Sequence, residues 1–145
     1  MKSKSFLIIL LAIITLNITS CSKEPDYAEQ LYKSYNANTH GDDTKIDIKG
    51  SMTNGDMKRP NLAARLDGNI LSIFFFEAVE NCMVLITAEN NDLLFSRRMS
   101  KQPIAVVQVF MGGEPTGDYH LYITNGFAAA EGDFHFVQQL NDNNP

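Results

Sequence analysis

Three sets of residues in this 145-residue sequence could do chemistry: one cysteine, two strand-borne histidines and a scatter of carboxylates. The cysteine is Cys21, which directly follows Leu16-Asn17-Ile18-Thr19-Ser20. An apolar run from Phe6 to Thr19 precedes it, with Lys2 and Lys4 ahead of the run. A membrane-spanning helix needs about 20 predominantly apolar residues, more than this run supplies. A basic start, a short apolar stretch and small residues at its end match a cleaved secretory signal instead. A cysteine at that boundary is the layout of a bacterial lipoprotein signal, in which it becomes the acylated first residue. The competing reading is an ordinary signal peptide cut near Thr19-Ser20. One acyl chain binds a bilayer weakly and two or more hold firmly, so a multiply acylated Cys21 is expected to be a stable membrane anchor.

The histidines promise less. His40 sits in a polar stretch, while His120 and His135 fall in alternating segments. A two-residue turn at Asn125-Gly126 would set Thr124 opposite Phe127 and His120 opposite Glu131, leaving His135 offset. No third ligand stands at zinc-like spacing, so exposed sheet-face histidines and no metal are expected. Among the carboxylates, Asp42-Asp43 lie in the polar stretch and Glu77 and Glu80 flank a loop. Paired acids perform glycosidic chemistry only when held across a cleft at defined separation. Asn90-Asn91-Asp92 lacks the alternating oxygen ligands of a calcium loop and reads as a turn. The sequence contains no Gly-x-Ser-x-Gly elbow, phosphate-binding glycine loop or His-Glu-x-x-His helix. Neither catalytic residues nor a cofactor is expected.

Binding is the chemistry left. His120 and Tyr122 alternate away from Leu121 and Ile123, so one sheet face would display them near Phe127. Such side chains can stack on sugar rings or anchor a protein partner. The lack of any tryptophan weakens the sugar option. Ordinary cross-strand pairing accounts for the same residues. Exposed sheet edges could also accept a partner strand. The basic cluster Arg97, Arg98 and Lys101 reads as a solvated strand end.

The elements that must position these residues change character along the chain. Residues 1–20 hold two lysines and no acid, so a chain beginning at Cys21 carries a net charge of −7 over 125 residues. That is one domain's length, and the acidity argues against nucleic acid, which calls for a basic patch. Residues 21–43 read as a lipidated start and a tether, with Ala28, Leu31, Tyr32 and Tyr35 at helical spacing over 26–35. So short a helix is marginal unless it docks. As a flexible coil, 22 residues span about 25 Å.

From Thr44 the apolar period becomes two, with turn residues recurring. Strands are expected at 45–50, 62–66, 70–76, 83–88, 93–95, 104–111, 118–124 and 127–137. Gly132 would mark a bulge or bend in the last of them. The run through Phe74-Phe75-Phe76 should be central. Ile73, Phe75, Val84, Ile86, Val106, Leu121, Ile123, Phe134 and Phe136 are assigned to the interior. Cys82 shares the phase of Val84 and Ile86, so it should be a buried small hydrophobe without a disulfide partner. Tyr119 could form a tyrosine corner at the start of its strand. Residues 139–145 form a polar tail. Seven or eight strands in residues 44–138 predict an all-β, immunoglobulin-like two-sheet antiparallel sandwich.

Arg65-Leu66-Asp67-Gly68-Asn69-Ile70-Leu71-Ser72-Ile73, the alternation around Val84 and Ile86, Gly117 through Gly126 and the closing Gly132-Asp133-Phe134 carry a resemblance. Together they resemble a Bacteroidetes family of small immunoglobulin-like lipoproteins of unknown function. The resemblance implies a seven-stranded sandwich, attachment to the outer membrane on its periplasmic or cell-surface face, and no assigned activity. The hairpin and last strand also look like the C-terminal sorting domains of Bacteroidetes secreted proteins, which follow long cargo, so this resemblance is ranked second. The expectation is a noncatalytic, lipid-anchored module that binds an envelope protein. The alternatives are an accessory glycan-binding protein in polysaccharide capture and a structural domain, either related to those sorting domains or a spacer.

Overall fold

The computed structural model describes residues 25–37, 44–52 and 60–139. The expected export signal, Cys21, His40, Asp42-Asp43 and residues 140–145 lie outside the described residues. Among the described residues a helix, α1 (Pro25–Ala37), is followed by nine strands. These are β1 (Thr44–Ile46), β2 (Lys49–Gly50), β3 (Leu62–Asp67), β4 (Ile70–Phe75), β5 (Val79–Ala88), β6 (Leu93–Gln102), β7 (Ala105–Phe110), β8 (Gly117–Thr124) and β9 (Ala129–Phe136). They form two antiparallel sheets, ordered β1-β3-β4-β7 and β2-β9-β8-β5-β6.

The inward rows of both sheets meet in one apolar layer. Leu71, Ile73 and Phe75 from the smaller sheet face Val84, Ile86, Leu121, Ile123 and Phe136 from the larger one. Eight of the nine assigned interior residues lie in this layer. Val106 does not. Ala105-Val106-Val107 is apolar without alternation, so its phase could not be read, and the register buries Val107 and Val109 while Val106 faces outward. Cys82 is buried in the layer as a free thiol, and burial pushes its pKa above the ordinary value.

The ninth strand arises where one was expected. The alternation of 45–50 is continuous, yet β1 pairs with β3 in one sheet and β2 with β9 in the other. The chain crosses between sheets at Asp47-Ile48, directly over Gly132. A Cβ on Gly132 would stand 2.8 Å from the Asp47 carbonyl oxygen and 2.8 Å from Ile46 Cγ2. Gly132 pairs with Leu121 in regular register, so it is a close-approach glycine and neither a bulge nor a bend.

The short helix expected over 26–35 is present and docked. Leu31, Tyr32 and Tyr35 turn inward onto the outer face of the smaller sheet, against Ala63, Phe74, Phe76 and Val106, and Ala28 is buried. Tyr32 meets Phe76 edge-on with ring centroids 5.3 Å apart, and Tyr35 meets Phe74 at 5.1 Å. Lys45 Nζ lies 4.8 Å from the Tyr35 ring centroid and donates to Asn36 Oδ1. β4 is thus central, as its composition requires, with the core on one face and α1 on the other. β6 runs on through Arg97, Arg98 and Lys101 to Gln102, well past the apolar Leu93-Leu94-Phe95. Charged residues on an edge strand oppose pairing with another chain.

Candidate functional site

The outer face of the larger sheet is built by alternation on β8, β9 and β5. Leu121 and Ile123 point inward, which sends Asp118, His120, Tyr122 and Thr124 outward. Phe134 and Phe136 do the same for Glu131, Asp133 and His135 on β9. Tyr119 locks the start of β8. Its hydroxyl donates to the Pro115 carbonyl at 2.6 Å, the expected tyrosine corner, and its ring stacks on Phe134. Burial, together with the nearby Glu114 charge, raises its pKa.

The pairing across β8 and β9 differs from the expected one by two residues. Thr124 stands opposite Ala129, and the loop holds four residues, 125–128. A two-residue type I′ turn needs positive φ at both central positions; here Gly126 has φ 88° and Asn125 is not left-handed. Instead, Asn125 Oδ1 accepts from the amides of Phe127 (3.0 Å) and Ala128 (2.8 Å). Asn125 Nδ2 also donates to the Met52 carbonyl. The side chain thereby holds a wider loop open.

The corrected register creates two facing pairs, His120 with Asp133 and His135 with Asp118. In each, Nδ1 lies 2.6 Å from a carboxylate Oδ1. An ionised carboxylate only accepts, so each imidazole carries hydrogen on Nδ1 and donates it. His120 also presents Nε2 at 3.4 Å from Glu131 Oε2, a diagonal neighbour. Only a doubly protonated His120 could donate to both acids. The next row crosses all five strands as Lys49, Glu131, Tyr122, Leu85 and Ser96.

Of the three residues assigned to binding, the structure unites His120 and Tyr122 on this face and separates Phe127. Phe127 stands at the hairpin tip, 98% exposed, beyond the end of the sheet. Asp118, Asp133 and the partnership of His135 were missed. The signal that would have found them is charge. The two-residue turn would set Asp118 opposite Asp133, and like charges directly opposite are unfavourable.

An open pocket of about 410 Å³ adjoins the block, lined by Thr87, Glu89, Asn91, Asp118, His120 and Asp133 among others. Three of its residues are acids. No group of three or more metal-ligating side chains occurs among the described residues. Tyr122 is the only Phe, Tyr or Trp on the outward rows of this sheet among the described residues. The arrangement offers carboxylate acceptors, two imidazoles and the Tyr122 ring to a surface.

Residues 45–136 match a domain of unknown function, DUF3244. The chain is also similar in structure to a DUF3244-family protein from Bacteroides vulgatus ATCC 8482, described as having an immunoglobulin-like β-sandwich fold. The two are 16% identical with a TM-score of 0.55, over 64% of this chain and 97% of that one. At that identity the likeness speaks for the fold alone. No curated protein matches. The matched span runs from β1 through β9 and leaves α1 outside it. A two-sheet sandwich of this topology, matched over nearly its full extent, places the chain in the DUF3244 family of immunoglobulin-like domains.

Proposed function

We propose that this protein is exported, held at the outer membrane by acylated Cys21, and serves as a noncatalytic module binding a protein partner. The partner would sit on the outer face of the larger sheet. The observation that carries this reading is the unequal covering of the two sheets. Helix α1 covers aromatic residues on the smaller sheet, whereas the larger sheet shows a patterned face of acids, histidines and Tyr122. Charge complementarity at such a face steers encounter and selects partners more than it adds affinity. Asp118, Asp133 and Glu89 around one pocket fit a partner that presents a lysine or arginine. A sugar ligand would call for coplanar exposed rings of Phe, Tyr or Trp, and Tyr122 is the one such ring on this face among the described residues.

Photo-crosslinking in intact cells tests the binding claim. A photoreactive residue at Tyr122 should yield a discrete protein adduct that Asp118→Lys with Asp133→Lys abolishes. The same probe at Phe110, on the other sheet, should yield none. Matching adducts from both positions, or an adduct indifferent to the charge reversal, would refute the assigned face.

A further inference from the structure

The geometry points to the hairpin end of the sandwich as a bilayer-contacting surface, with Phe127 seated at the lipid interface; the inference rests on acylation of Cys21 as proposed above. Its first support is reach. Helix α1 begins at Pro25, four residues after Cys21. Four residues of fully extended chain cover at most about 14 Å. The 22-residue coil expected from sequence would span about 25 Å on average. Docking of α1 removes that slack and brings the folded body down to the membrane.

The second support is direction. Tyr32, earlier in α1, packs on Phe76, just past the end of β4. Tyr35, one turn later, packs on Phe74 and lies under Lys45 of β1. The helix therefore starts at the end of the sandwich where β4 finishes and β5 begins. β8 runs toward that same end, since its last residue Thr124 pairs with Met83, midway along β5, whose first residues continue past it. The chain thus enters from the anchor at the end that carries the 125–128 hairpin.

The third support is the tip itself. Phe127 is 98% exposed, and Tyr27 near the start of α1 is 53% exposed. The hairpin amides beside that ring are bonded within the loop. The amide of Gly126 donates to Thr124 Oγ1, and those of Phe127 and Ala128 to Asn125 Oδ1. Taking an unpaired amide out of water is costly, so a tip with these amides already bonded suits the interface. Arg98 lines a pocket of about 460 Å³ with Thr124, Asn125 and Gly126, a position for a lipid phosphate. The net negative charge of the chain disfavours electrostatic adhesion to anionic lipid, so in this posture the acyl chains hold the protein and the tip only orients it. Asp118 lies six residues up β8 from Thr124, about 20 Å from the tip side, so this posture turns the acid–histidine block toward water.

The test uses the full acylated chain reconstituted in phospholipid vesicles. An environment-sensitive fluorophore is placed at Phe127→Cys and, as a control, at Gly113→Cys in the loop at the opposite end. Gly113 is exposed with open space around its Cα. The expected result is a blue shift and several-fold stronger quenching by bromolipid at 127 than at 113. Equal, water-like signals from both positions on vesicle-bound protein would overturn the membrane contact while leaving the anchor standing. Failure of the native chain to associate with vesicles any better than Cys21→Ala would overturn both.

Discussion

Gly132 sets how closely the two sheets can be joined by one strand. The chain passes from β1 to β2 over its Cα, where a methyl group would collide with the Asp47 carbonyl and Ile46 Cγ2. Gly132→Ala is therefore expected to cost about 1–3 kcal/mol, the usual range for overpacking. Urea unfolding would read the loss, and an unchanged midpoint would mean that the crossing shifts freely. This close approach could not be read from sequence, because a glycine in an alternating strand looks the same whether it bends the strand or admits a neighbour. Cys82 was legible for the opposite reason: the phase it shares with Val84 and Ile86 decides its side directly. His120 and Tyr122 were placed on the correct face, because a two-residue register shift preserves facing. Their opposite neighbours changed, so the Asp118–His135 and His120–Asp133 pairs emerged only from the structure.

Among the elements, α1 shows most clearly what local pattern can and cannot tell. Its i, i+3, i+4, i+7 spacing was plain, but the surface that makes it stable lies 40 residues further on, in Phe74 and Phe76. An amphipathic segment of 13 residues gains its stability from such packing. The same distance hid the outward role of Val106 and the full length of β6, whose polar residues carry no apolar alternation. The helix–sheet contact also has a pH dependence. Burial lifts the Tyr35 phenol above its ordinary 10.0, with Arg65 opposing the shift and Tyr32 adding to it. In the unfolded chain the phenol ionises near its ordinary value, while in the fold it keeps its proton to higher pH. Its contribution is therefore intact below pH 10 and declines as pH rises from there through the folded value. Tyr35→Phe should flatten that alkaline loss in urea midpoints measured against pH. Tyr119, raised by burial as well, leaves a residual slope in both proteins. Superimposable curves for the two proteins would show that Tyr35 does not govern docking.

At the scale of the whole molecule, the sandwich is a body with two ends and two unlike faces. One face is partly covered by α1, which leaves Ile70 and Phe110 exposed, the other bears the acid–histidine block, and the hairpin that carries Phe127 lies toward the end where α1 begins. The immunoglobulin-like architecture was legible because period-two alternation and turn residues recur along 44–138. The crossing of one strand between sheets was not, since both halves of 45–50 alternate alike. The account as a whole hangs from Cys21: without an anchor four residues ahead of α1, neither the membrane posture nor the outward block has a reason. Intact-mass analysis of the mature protein from native membranes tests that point most directly. The predicted species begins at Cys21 and carries the added mass of its acyl chains, which Cys21→Ala loses. A mature chain that begins elsewhere, or begins at Cys21 without acyl mass, would contradict the account.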